Sequence, residues 1–222
     1  MVTAYTGAAL AAMGKRVLLM EMGADSRTLD VVTGARDTVF DLADVLEGQC
    51  NPERAVIGVN GKPNLFLLPA SMNAEMTGNE WTLDNLLQHL SPQYDYILAD
   101  GVDFTRVNPA QFDVILMVTT PDTLCVRACQ AAVKRLEDEG AQKIRLVINN
   151  VPLQLVPIFG ARDLDDVIDQ IGAQLIAVLP QSPKLHYCAN HSKSLNSETV
   201  TERIFENLAY RLRGQFRPLV IR

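Results

Sequence analysis

The chain has 222 residues, of which 48% are hydrophobic and 21% charged, with a formal net charge of −6. That length and apolar content supply one full core and favour a single α/β domain over residues 1–222. The acidic balance excludes the broad basic footprint of a nucleic-acid protein, and no 18-residue apolar run offers a membrane span. Cys50, Cys125, Cys129 and Cys188 do not make a disulfide framework for a chain this long, which points to a reducing cytoplasm.

The sequence opens on an alanine-rich helix, Thr3 to Met13, stopped by Gly14. This opening has no basic leader and reads as a helix rather than a secretion signal. The apolar run Val17-Leu18-Leu19-Met20 then predicts a strand, and Phe40 to Leu46 a helix. Leu65 to Leu68 is the next strand, Trp81 to Leu90 the next helix, and Tyr96 to Ala99 the strand after it. Val114 to Val118 is a strand feeding the long helix Thr123 to Glu139, which ends at Gly140. Ile144 to Ile148, the helix Asp163 to Ile171, Leu175 to Leu179 and a last helix from Ser197 to Arg213 complete the series. Most strands are continuous apolar runs, the pattern of strands covered on both faces. Alternation with helices predicts right-handed crossovers and a doubly wound, mostly parallel sheet with helices on both faces.

Cys125 and Cys129 fall four apart on a predicted helix without two further ligands of matching spacing, so they read as small buried apolar residues. His89, His186 and His191 are scattered and read as surface or helix-end residues.

Open α/β sheets bind ligands beyond the carboxyl ends of their strands. Here those ends read Glu21-Met22-Gly23-Ala24-Asp25, then Asp100-Gly101-Val102-Asp103, Thr119-Thr120-Pro121-Asp122, Asn149-Asn150 and Pro180-Gln181. Asp100 ends an apolar run, where a carboxylate can hold Mg²⁺ through water beside a nucleotide's phosphates or can simply begin a turn.

Several segments, in this order and spacing, resemble the MinD branch of the MinD/ParA family of deviant-Walker P-loop ATPases. They are Gly7-Ala8-Ala9-Leu10-Ala11-Ala12 with Gly14 to Leu19, Arg27-Thr28-Leu29-Asp30-Val31-Val32, Asp41 to Gly48, Asn64 to Ala70, Tyr94 to Asp100, Val118 to Asp122 and Leu146 to Asn149. The likeness spans nearly the whole chain. It implies a nucleotide-binding fold using ATP and Mg²⁺, with Asp100 as the Walker B aspartate. It places Asn149 where the family recognises adenine, and Pro180 and Gln181 where the chain wraps the base. It further implies a homodimer cycling with ATP, a Min-type division inhibitor and an activator of hydrolysis as partners, and peripheral contact with the inner face of the cell membrane.

Three departures accompany the resemblance. The family's Walker A loop, whose N–H groups and lysines hold phosphates, would end just before Met1. The expectation is therefore an incomplete start lacking the first strand and P-loop, with a natural pseudo-ATPase as the alternative. The family's Asp-x-Asp is Glu21-Met22-Gly23, with Asp25 as a substitute catalytic acid, and its Ser-Pro-Ala-Gly is Gly101-Val102-Asp103-Phe104. The end, from Ala209 to Arg222, interleaves four arginines with apolar residues and suits an anionic membrane surface. Gly214 and Pro218 interrupt any continuous helix there, so a short tail packed on the domain is the competing reading. Division-site placement is the leading function. A non-catalytic adaptor that localises a partner is the second, and a metabolic P-loop enzyme of the cobyrinate-amidation kind is the third.

Overall fold

The computed structural model of the chain describes residues 1–23, 27–35, 38–71, 81–152, 163–195 and 199–220. It forms two compact units, Met1–Val107 with Lys184–Ser194, and Asn108–Pro183 with Leu195–Arg222.

The first unit is built on a four-stranded sheet: β1 (Val17–Glu21), β2 (Ile57–Gly58), β3 (Leu65–Leu68) and β4 (Tyr96–Asp100), in the order β2-β3-β1-β4. β1 pairs parallel with both β3 and β4, and its register sets Glu21 opposite Asp100. Every residue of β1 is buried, as its unbroken apolar run requires. β2 is a two-residue antiparallel partner of β3, too short to leave a sequence signature.

Helix α1 (Val2–Ala12) packs on this sheet through Gly7. A Cβ there would lie 2.5 Å from Leu19 Cδ2, so a larger residue would force that buried side chain to shift. Helices α2 (Leu29–Thr33), α3 (Leu42–Leu46), α4 (Pro52–Ala55) and α5 (Leu83–Leu90) also belong to the unit. α3 opens on a capping box, in which Asp41 accepts from the Ala43 and Asp44 amides and Asp44 accepts from the Asp41 amide. His89 pairs with Glu53 at 2.7 Å on the surface, and that bond holds the Glu53 carboxyl below its ordinary range.

The second unit holds the parallel sheet β5 (Ile115–Thr119), β6 (Ile144–Val151) and β7 (Gln174–Pro180), with β6 central. Helix α6 (Thr123–Asp138) buries Val126, Cys129, Val133 and Leu136, a stripe at helical spacing. Cys129 is core, as expected, but Cys125, expected to be buried with it, is exposed, because in the first turn of α6 the buried stripe runs from Cys129 to Val126 instead. α7 (Leu164–Ile171) starts on an Asp163 cap and stops at left-handed Gly172. Helix α8 (Pro183–Asn190), not anticipated from sequence, follows β7, with most of its length in the first unit. Helix α9 (Val200–Leu212) closes the chain and packs on β7 through a face that includes Ile204, Phe205 and Leu208. Its cap is Thr199; Ser197, expected to begin it, lies outside the described residues.

β4 and β5 are edge strands of their sheets among the described residues. All five residues of β4 are half-buried, and Val118 of β5 is 45% exposed.

Candidate functional site

Two clusters of strand ends carry the chemistry. In the first unit, β1 delivers Glu21 and β4 delivers Asp100 at adjacent positions of one register. Glu21 is 2% exposed. Its Oε1 accepts from the Thr28 amide at 2.6 Å, the Thr28 hydroxyl at 3.0 Å and the Leu29 amide at 2.9 Å. The carboxylate thereby fixes the entry to α2, where unsatisfied helix N–H groups favour negative charge. Its Oε2 is buried without a hydrogen-bond partner.

Asp100 is half-buried, and the backbone carbonyl at this position accepts from the Met22 amide at 2.8 Å. Its Oδ1 accepts from the Thr3 hydroxyl at 2.6 Å. Thr3 lies in the first turn of α1, whose N-cap, Met1, makes no side-chain capping bond. The start of α1 is thus pinned to the end of β4, with its first N–H groups pointing out of the helix end.

The loops leaving β1 and β4 meet backbone to backbone. Gly101 has φ of 70°, and a Cβ on it would stand 3.0 Å from both Cα and N of Gly23. A Cβ on Gly23 would meet Gly101 Cα at an ordinary 3.8 Å. Asp25, the substitute acid expected from sequence, lies outside the described residues.

In the second unit, Asn149 sits near the end of β6, beside a register irregularity between Ile148 and Val151. Asn150, next to it, has φ of 58°. Val151 pairs with Pro180, and the Gln181 amide donates to the Val151 carbonyl at 2.7 Å. Asn149, Pro180 and Gln181 are thus brought to one edge of the sheet. At the end of β5, Asp122 caps α6 by accepting from the Cys125 amide at 3.0 Å. The Thr120 hydroxyl on the same carboxylate, together with that amide, holds its pKa down to about 2.

A divalent cation fits the first cluster by donor chemistry. Asp100 offers a carboxylate at a strand end with one oxygen oriented by Thr3, and Glu21 adds a buried oxygen without a partner beside it in register. No group of three or more His, Cys, Asp or Glu residues suited to a metal occurs among the described residues, so water would complete such a shell. Sequence reasoning missed Thr3 and the role of Glu21. An acid closing the otherwise apolar run Val17 to Met20 was the visible signal for the latter.

No family model matches the chain. The septum site-determining protein MinD of Synechocystis is 33% identical over 229 residues, spanning 98% of this chain and 85% of that protein. That of Thermotoga maritima is 31% identical, over 98% and 84% respectively. Among solved structures, the MinC:MinD cell division protein complex of Aquifex aeolicus contains a chain that matches with a TM-score of 0.85 at 28% identity. The match covers 98% of this chain and 91% of that one.

Proposed function

Because this chain belongs to the MinD septum site-determining proteins of the MinD/ParA P-loop ATPases, we propose that it serves division-site placement as an ATP-responsive dimer. Residues 1–222 act as one nucleotide-binding domain in this reading. It takes Mg-ATP, pairs with a second copy and touches the inner face of the cell membrane reversibly. Its partners are a division inhibitor and an activator of hydrolysis, both of the Min type. The Aquifex complex supports the inhibitor, since its relative there is complexed with MinC.

The carrying observation is the Thr3–Asp100–Glu21 arrangement at the ends of α1, β4 and β1. A bound Mg²⁺ would neutralise phosphate charge in this cluster. Asp100 would hold its water shell, Thr3 would keep that carboxylate in one rotamer, and Glu21 would fix the segment entering α2. Asn149 would read the base by hydrogen bonding, with Pro180 and Gln181 beside it. Asp25 is the proposed acid near the attacking water.

The test is titration of the protein with a fluorescent ATP analogue, with and without Mg²⁺. Wild type is expected to bind in a Mg²⁺-dependent manner, and Asp100→Ala to lose that dependence. Absence of ATP binding by the wild type would sink the proposal.

A second reading, a non-catalytic adaptor, is favoured by Gly23, which has no side chain to orient water. Under that reading, localisation of a partner survives Asp100→Ala.

A further inference from the structure

The hairpin joining β2 to β3 lies at the opposite end of the first sheet from the nucleotide cluster. Leu65, which opens β3, pairs with Val17, the first residue of β1, whereas Glu21 and Asp100 lie at the carboxyl ends of β1 and β4. The length of β1 from Val17 to Glu21 puts about 13 Å between the two ends. The hairpin is held by its own backbone. The Val59 amide donates to the Leu65 carbonyl at 2.9 Å, the Lys62 amide to the Val59 carbonyl at 3.1 Å and the Leu65 amide to the Lys62 carbonyl at 3.2 Å. Asn64, left-handed at φ of 70°, ties it to β1, since its carbonyl accepts from the Val17 amide at 2.8 Å.

Residues 58–66 line a cavity of about 350 Å³ in this hairpin, a size that small-molecule pockets use. Pro63, Leu65 and Phe66 give it apolar walls, Asn60 and Asn64 bring amides, and Lys62 is the charged residue among those that line it. The Phe66 wall is braced from behind its own strand. Its ring stands edge to face with Tyr94 at 5.6 Å, and the Arg16 guanidinium lies 5.1 Å from both ring centroids. Lys62 is half-buried, and among the described residues no ion pair or hydrogen bond involves its ammonium. Burial pushes its pKa below the ordinary lysine value, so the charged form is the one that gains from a partner.

We propose that the β2–β3 hairpin binds a small monocarboxylate with an aromatic or branched aliphatic body, Lys62 pairing with the carboxylate, the Asn60 and Asn64 amides donating to it, and Phe66 and Pro63 covering the body. The site goes beyond the nucleotide reading and does not depend on it. Charge selects the ligand class: one partly desolvated cation matches one negative charge, whereas a phosphate monoester brings close to two. Arg16 is occupied by the two rings and does not supply the second. An apolar body is required because hydrogen-bonding groups are few beside the apolar walls. A hairpin already fixed by its own bonds loses little freedom on binding. A ligand here stands clear of Glu21 and Asp100, so it does not compete with a nucleotide.

The experiment uses the full chain labelled with ¹⁵N and ¹³C and titrated with benzoate at constant ionic strength. Saturable shifts at the Val59, Asn64 and Phe66 amides are expected, with a Kd of about 1 mM, and none at Glu21 or Asp100. The Lys62 side-chain midpoint, assigned by its absence from Lys62→Met, is expected to move up towards the ordinary lysine value when benzoate is bound. Lys62→Met is expected to weaken benzoate at least about tenfold at an unchanged unfolding temperature, and Lys62→Arg to retain most of the affinity. Acetate, which lacks the body, is expected to bind about tenfold more weakly than benzoate. Shifts that stay linear in benzoate and match those caused by chloride would overturn the site. Saturation that ignores Lys62→Met, or a Lys62 midpoint that does not move, would overturn the role given to Lys62. Inorganic phosphate binding more tightly than benzoate would overturn the monocarboxylate. A hexapeptide ending in phenylalanine that binds about a hundredfold more tightly than benzoate, and loses this on amidation of its carboxyl terminus, would replace the small molecule with a partner protein's chain end.

Discussion

β1 and β4 lie side by side in one parallel sheet and carry the same kind of sequence, Val-Leu-Leu-Met-Glu and Tyr-Ile-Leu-Ala-Asp. Their burial differs throughout: β1 is covered along its whole length, while each residue of β4 is half-exposed. An apolar run therefore records what a strand is able to bury, and its place in the sheet decides what it does bury. Edge strands usually carry charge, proline or a bulge against unwanted pairing, and β4 has none of these before Asp100. Truncation should separate the two strands most sharply. Leu19→Ala in β1 is expected to cost about 2–5 kcal/mol of unfolding free energy in urea. Leu98→Ala in β4 should cost about half as much, because less area leaves water. Equal losses would show that β4 is as well covered as β1.

The loops leaving these two strands repeat the asymmetry in the backbone. Gly101→Ala is expected to destabilise by about 1–3 kcal/mol, because its φ of 70° is left-handed and the new Cβ meets Gly23 backbone at 3.0 Å. Gly23→Ala meets only ordinary contacts and should be neutral or stabilising by up to about 1 kcal/mol. Thermal unfolding of the two variants measures this directly. A reversed order would mean that the glycine contact is not what joins the loops.

The six main strands were legible because most are unbroken apolar runs of a length that parallel sheets use, Arg145 being the one interruption within them, and the helices between them had periodic faces or glycine stops. The expectation of parallel pairing holds for the six strands read from the sequence, β2 being the antiparallel exception, and the Gly140 and Gly172 stops fall where the structure turns. What escaped is what local pattern does not encode. β2 exists only because two residues reach the edge of β3. α8 starts at Pro183 and carries mixed residues from Lys184 to Asn190 with little apolar periodicity, so its helical state follows from packing Leu185 and Cys188. In the candidate site, strand ends drew attention to Asp100 and Asn149, since an acid and an amide interrupt apolar runs there, while the roles expected of Asn149, Pro180 and Gln181 came from the family resemblance. Thr3 could not be named, because its bond to Asp100 spans 97 positions and depends on where α1 crosses the sheet.

That long-range bond gives a smaller test of what holds the end of β4. Thr3→Val keeps the side-chain shape and removes the donor to Asp100. It is expected to cost about 0.5–1.5 kcal/mol and to speed amide exchange at the β4 end relative to the β1 end. Unchanged exchange at Asp100 would mean that strand pairing with β1 alone fixes the end of β4.

The smallest effect concerns the aspartate near the end of the other edge strand. Asp122 follows β5 as Asp100 ends β4, but Asp122 is committed to capping α6. Its pKa is lowered from 3.8 to about 2, first by the Thr120 hydroxyl and then by the Cys125 amide. The folded state therefore binds this proton more weakly than the unfolded chain does. The resulting stability is present above pH of about 4 and is lost as pH falls from about 4 towards 2. The group lies at the surface, so salt screens part of the effect and the change stays small beside the core and loop variants. A carboxyl carbon NMR titration should place the Asp122 midpoint near 2, and Thr120→Val should raise it. A midpoint near 3.8 in the wild type would show that the cap is not formed in solution, removing the distinction drawn between a structural aspartate after β5 and an available one at the end of β4.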